Sequence, residues 1–501
     1  MARASGTDRY VVLPPEGLRV KGRTATAGAK AFLQELGAPV ATSRQVTLTQ
    51  GHRVPLRVVD SLGDDGAKLV EATPESALAI RAMQPGLQVV PLAYYSYAMV
   101  RHEIREPMTP RRASGTAATV TLTLVSKKDK TVVDGAIVVA FTDFAAGVGA
   151  QGVSDAKGEV SLALGRASVT LDRLYVYPTN AFWTLRKLKA PVKTGTTIEL
   201  QPIDLAYTDA LRHYYGHPAD DAGAGVTVAV IDSGVADHPD LAVSGGANTV
   251  AGEDPEDYGD NGKHHGTHVA GIVAARGTPP TGIRGVAPGV TLRSYRVFAK
   301  GSNSADSFAI AKAIDLAVAD RCDLINMSLG ALSGMPDPTL RAAVQDARKK
   351  GSLCIIAAGN GDRGLVGFPA SEPTAVAVSA LGRKGTFPKG TAEAEDVAPP
   401  FATDKAEFIG AFSNIGPQID LTGPGVAIIS TVPGSYTEIS GTSMACPAVT
   451  GAAADVLASS EILKTPRDAA RSEALLKALY ASAKLRGLGA GFEGHGLPQP
   501  A

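Results

Sequence analysis

Three patterns of apolar and polar positions succeed one another along the chain. In the first, short helix-like and strand-like pieces alternate. GAKAFLQELG is amphipathic and closes at Gly37, while VPLRVVDSL and AKLVEAT read as strands separated by the turn cluster Gly63, Asp64, Asp65 and Gly66. Thr73, Pro74 and Glu75 supply a cap, a proline at the first helical position and an acid in the first turn, so PESALAIRAM is predicted helical. LQVVPLAYYSY then returns as a strand. A small α+β unit is expected at 21–101, after a loose leader at 1–20. HEIREPMTPRRASGT has two prolines and no period, which predicts a protease-sensitive linker at 102–117. From 118 to 202 the period is two, in segments such as ATVTLTLVS and GEVSLAL, as in a small β-sandwich that acts as a spacer or a binding module. From 203 to 485, β-branched runs (VTVAVID, CDLINMSLG, LCIIAAGN, AVAVSAL) alternate with helical stretches such as SFAIAKAIDLAVAD. That alternation predicts an α/β unit, a mostly parallel sheet with helices on both faces. The last residues, 486–501, read as an extended tail.

Charge and cysteine content narrow the partners. The 49 basic and 49 acidic residues cancel, leaving no electrostatic footprint for nucleic acid or a membrane surface, and neither partner is expected. No apolar run reaches the roughly 18 residues of a membrane span. Cys322, Cys354 and Cys446 form no paired framework and read as buried small residues in a reducing compartment. The N-terminus lacks the apolar run of a signal peptide, so a cytoplasmic location is expected.

Candidate chemistry gathers where strands of the α/β unit end. GVTVAVIDSGV ends at Asp232, GKHHGTHVAGIVAA enters a helix lined with small residues, and SGTSMACP turns into another helix at Ser443. Each alone has an ordinary explanation: a turn aspartate, close helix–sheet packing, and a serine helix cap.

Together and in this order, VIDSGV, HGTHVAG and SGTSMA resemble the three catalytic signatures of the subtilisin-like serine proteases, whose order is Asp, His, Ser. GVAPGVTL, NMSLG, AAGN, FPAS and DLTGPG extend the resemblance over nearly all of 203–485. The resemblance implies a serine endopeptidase. Ser443 would be the nucleophile at a helix N-terminus, while also capping that helix. His265 would be the general base and Asp232 its orienting partner. Asn360 would donate into the oxyanion hole beside the Ser443 N–H. A polypeptide substrate would bind as an added strand. Ser328, Leu329 and Gly330 would line one side of the cleft, and Ala357, Ala358 and Gly359 the other side of its specificity pocket. Gly301, within AKGSNS (299–304), would belong to the opposite edge. These small walls suit a large apolar or aromatic residue before the cut bond, with Asp362 as the group that would admit a basic one.

No cofactor is implied. His264, His265 and His268 could suggest a metal, but the zinc-protease motif needs a glutamate between its histidines, and none is present. The loop ARGTPPTGIRG (275–285) also lacks the Asn, Asp or Glu that relatives bring to a structural calcium. Cys446 and Ala448 stand where family members often carry Ser and His. Residues 21–101 resemble the family's propeptide, with VVPLAYYSYAMV as the strand that blocks the cleft. The insert at 118–202 departs from the family pattern, and its VSDAKGEVSLAL looks like a carboxypeptidase-regulatory-type sandwich. A zymogen-like protease, inhibited in cis, is therefore expected. The rival reading is a subtilisin fold without catalysis that binds through the sandwich; an esterase or ligase would use the same triad.

Overall fold

A computed structural model of the protein describes residues 6–20, 27–98, 101–107, 118–331 and 335–501. The largest sheet holds eight strands. From one edge they run Val243–Asn248, Thr291–Arg296, Thr227–Asp232, Leu324–Met327, Leu353–Ala357 and Val376–Arg383, and the last pairs with both Glu407–Ile409 and Leu421–Pro424. All pairings are parallel except that of Glu407–Ile409. Strands buried on both faces need apolar residues on both, and Val228, Ala229, Val230 and Ile231 are each fully buried. Val228 and Val230 pack with the helices His265–Ala274 and Thr442–Ala458. Ala229 and Ile231 pack with Ser307–Ala319 and Pro338–Lys349 on the other face. This is the expected α/β layering.

The N-terminal sheet has five antiparallel strands, ordered Arg44–Thr47, Arg53–Ser61, Lys68–Ala72, Asp8–Leu13 and Gln88–Pro91. Asp8–Leu13 falls within the stretch expected to be a leader, yet it lies between two partners. Its alternation explains why: Val12 packs with the unit's own helix residues Phe32, Leu33 and Ile80. Val11 and Leu13 instead face the protease helices beside Phe308 and Leu340. Arg19 and Lys312 strengthen that contact, pairing with Asp315 (2.6 Å) and Asp60 (2.8 Å) across it.

The segment 118–202 does form two stacked sheets. One joins Leu185–Lys193, Ser168–Tyr177, Ile137–Asp143 and Val148–Val153, and the other Glu159–Ala163, Thr119–Ser126 and Thr196–Leu200. The expected linker is partly structured: Glu106–Pro107 pairs in parallel with Val148–Gly149 at the sandwich edge, while 108–117 lie outside the described residues. The tail is ordered as well. Leu488 and Leu497 are buried against Leu381 and Ile409, which draws 486–501 onto the protease sheet. No described helix is long and apolar enough to cross a membrane.

Candidate active site

Asp232 ends a central strand and His265 opens the helix that follows. The two meet because that helix can sit directly on the turn after Asp232. A Cβ on Gly266 would lie 2.3 Å from the Gly234 carbonyl and 3.2 Å from the Asp232 Cβ, so only glycine allows the approach. His265 Nδ1 is 2.8 Å from Asp232 Oδ1, and both side chains are fully buried. Asp232 Oδ1 also accepts the Ser233 N–H (2.7 Å), which fixes the carboxylate, while His265 Nε2 makes no hydrogen bond. Of the flanking histidines, His264 faces Asp260 (3.2 Å) and His268 Nε2 lies near the Ile428 and Thr437 carbonyls (3.1 and 3.2 Å). The three histidines do not converge. Burial, and then the charge of His265, hold His268 down at about 3, so it is neutral.

Ser443 is the second residue of the helix Thr442–Ala458. The N-cap position belongs to Gly441, and the Ser443 hydroxyl accepts no capping bond, so the expected cap role is not seen. Instead Ser443 Oγ donates to the Ser328 carbonyl (2.9 Å). Pro447 removes the N–H that would otherwise bond the carbonyl four residues back, and the Ser328 hydroxyl donates to that Ser443 oxygen (2.8 Å). Cys446, fully buried beneath the site, points its thiol at Ile355 O (3.1 Å) and Asn326 Oδ1 (3.2 Å). Burial pushes that thiol up, away from the reactive thiolate form.

Asn360 follows the strand Leu353–Ala357 through Ala358 and the positive-φ Gly359, whose N–H bonds the Thr442 hydroxyl (3.1 Å). Its amide is oriented by Thr442, whose N–H (3.0 Å) and hydroxyl (2.9 Å) both donate to Asn360 Oδ1. Asn360 Nδ2 is left as a buried donor with no partner. An unpaired buried donor next to a helix N-terminus suits a site where negative charge develops.

A strand of the N-terminal unit lies in the cleft. Tyr94–Tyr97 pairs antiparallel with Ser304–Asp306 on one side and Leu329–Gly330 on the other. Tyr97 stacks on the His265 ring (centroids 4.5 Å apart), and the next carbonyl, that of Ala98, accepts the Ser443 N–H (3.2 Å). Consecutive residues of this strand thus touch His265 and Ser443.

Residues 223–491 match the subtilase family. The chain is 39% identical to subtilisin DY of Bacillus licheniformis over 241 residues, covering 47% of this chain and 77% of that protein. It is 40% identical to subtilisin Savinase of Lederbergia lenta over 234 residues, covering 46% and 76%. This chain belongs to the subtilase family. It is a serine endopeptidase with an α/β fold.

The remaining expected positions of this subtilase divide. Leu329 and Gly330 pair with the cleft strand, and Ser328 holds Ser443. Ala357 and Ala358 are fully buried behind Gly359. Gly301 lies short of the pairing edge, which is Ser304–Asp306, and gives its N–H to Asn261 (2.8 Å). Asp362 is exposed. Thr442, which sets the Asn360 amide, lies within SGTSMA, and nothing in its spacing marks it.

Proposed function

We propose that this subtilase cuts peptide bonds with Ser443 as nucleophile, His265 as general base and Asp232 as the group that orients it. Asn360 Nδ2 and the Ser443 N–H stabilise the oxyanion. In the uncut chain the enzyme is latent, because its own residues 94–98 lie where a substrate would. The first bond it cuts is the one after Ala98. The observation that carries this reading is the Ala98 carbonyl bonded to the Ser443 N–H.

Latency has two local causes. Tyr97 covers His265, and its hydroxyl donates to the Ser302 carbonyl (3.2 Å), closing the base off from water. Ser443 Oγ is turned to the Ser328 carbonyl, so it must rotate before His265 can take its proton. Specificity also shifts from the expectation. The residue before the bond is the small Ala98, and aromatic selection falls one and three residues before it, at Tyr97 and Tyr95. Tyr95 is buried in an apolar pocket, its hydroxyl donating to Asp337 (3.1 Å). The three cysteines, buried and unpaired, are consistent with a reducing compartment.

The test is the intact mass of the purified chain beside Ser443→Ala. Cleavage after Ala98 in the first and a whole chain in the second supports the proposal. A first cut at another bond, or the same cut in Ser443→Ala, would overturn it.

A further inference from the structure

A cavity of about 170 Å³ lies in the seam between the sandwich and the protease sheet. Ile137, Tyr177 and Thr184 form part of its sandwich wall, and Glu393, Asp396 and Glu438 stand on the protease side. Arg101 and His102, third and fourth past the bond at Ala98, also line it. The chain that leaves the cleft therefore runs along its mouth. It is held there by the sandwich: the His102 ring stacks on Tyr175 (4.3 Å) and the Arg105 N–H reaches the Gly147 carbonyl (3.1 Å).

Arg101, His102, Lys263 and His264 line the cavity, yet its acids are not paired with them. Neighbouring Glu395 pairs with Arg173, with Arg186 (3.0 Å) and with His102 (3.3 Å). Among the described residues, no ion pair reaches Glu393, Asp396 or Glu438. Thr184 is a polar contact of the two glutamates, its hydroxyl donating to both Glu393 oxygens (3.1 and 2.9 Å) and its N–H to Glu438 Oε1 (3.0 Å). Glu438 is 5% exposed, and its other oxygen, Oε2, is buried with no partner. Arg101 is at the mouth but leans to Glu103 (3.6 Å), and Lys263 is exposed at the rim. Burial, with the charge of Glu393 close by, pushes the Glu438 carboxyl well above the usual range. An inserted cation would relieve that cost and supply charge-assisted hydrogen bonds out of water.

We propose that the cavity is a substrate subsite for a lysine or arginine side chain three or four residues past the cut bond, read by Glu438 and Glu393. The direction of the substrate rests on the reading of residues 94–98 given above. The sandwich then has a function in this enzyme: it builds the wall that turns a surface acid cluster into a pocket.

Binding is tested on the full Ser443→Ala chain with butylguanidinium as the probe and neutral butylurea as its match. Butylguanidinium should raise the melting temperature, butylurea should not, and Glu438→Gln should remove the difference. Equal shifts from both compounds, or an undiminished shift in Glu438→Gln, overturn the site. Should Glu438→Gln fail to fold by circular dichroism, Glu393→Gln is read in its place. Substrate use is tested with the purified wild-type chain on quenched peptides carrying Tyr-Ser-Tyr-Ala before the bond and Lys, Ala or Glu third after it. The lysine peptide should exceed the glutamate peptide by about tenfold or more in kcat/KM, a ratio that collapses in Glu438→Gln. Cleavage with no such ratio overturns the subsite. A charge-dependent thermal shift without cleavage of any peptide instead supports the cation site and counts against the proposed protease reading.

Discussion

Replacing Asn360 with alanine isolates one contribution to catalysis, because of what its amide does in the uncut chain. The oxygen is committed to Thr442, and the nitrogen bonds nothing, although the Ala98 carbonyl lies close enough for the Ser443 N–H at 3.2 Å. The ground-state carbonyl is therefore held by one donor. In the mechanism proposed above, the second comes into use as charge builds on the oxygen and the bonds shorten. A donor used only in the transition state acts on kcat and leaves KM alone. Losing one such donor costs roughly 100- to 1000-fold, about 2.7–4 kcal/mol. Asn360→Ala also strips the Thr442 N–H of its acceptor, so Asn360→Asp is the necessary companion: it keeps that acceptor and donates nothing. Both variants should lose kcat on the Tyr-Ser-Tyr-Ala peptides by at least 100-fold with KM unchanged, rates being normalised by titration of reactive Ser443. A loss below about tenfold in both variants, or a loss carried by KM, refutes the assignment of Nδ2 to the oxyanion.

Three further outcomes follow. Removing the buried Tyr95 ring costs roughly 3–5 kcal/mol of strand docking, so Tyr95→Ala in a Ser443→Ala chain should be nicked by added thermolysin near 92–107 far faster than its parent; equal nicking rates count against the docked strand. His268 is held at about 3 against 6.5 in the unfolded chain, so only the unfolded chain takes up that proton between those values. Its contribution to stability is complete above pH 6.5 and is lost as pH falls towards 3, at no more than about 1.4 kcal/mol per pH unit. His268→Gln should flatten the acid limb of a melting-temperature profile, and an unchanged slope refutes the account. Finally, Asp240 Oδ2 is taken by the Ile283 N–H (2.8 Å) and the Tyr436 hydroxyl (2.9 Å), so the loop 275–285 is closed by the chain's own donors. Excess EDTA should leave the melting temperature unchanged, and a fall that is lost on Asp240→Asn would reveal a metal there.

The parallel sheet with helices on both faces was legible because residues such as 228–231 must be apolar on both sides, a demand that leaves a continuous run in sequence. The positions of Asp232, His265 and Ser443 were legible because each sits in a short motif with its own backbone need, such as Gly266 against the Gly234 carbonyl. What sequence hid was long-range. Val11 and Leu13 look like the end of a leader until Phe308 and Leu340 are set against them. The bond after Ala98 is likewise unmarked; a strand's register in a cleft is fixed by its partners, here Ser304–Asp306 and Leu329–Gly330. The carboxyls of Glu393 and Glu438 are 45 positions apart, and Thr184 from the sandwich bonds both.

Trp183 offers a consequence of that same seam. It is the one tryptophan in the chain, and its ring is buried among protease residues, edge-on to Tyr207 with centroids 5.1 Å apart. The next residue is Thr184, which holds both glutamates. Excitation of indole thus illuminates a single place in the molecule. A red-shifted emission spectrum would mark the moment the sandwich parts from the protease, and a change in intensity without that shift would follow events at Thr184 while the seam stays shut. The protein carries its own optical gauge, and needs no attached dye to time them.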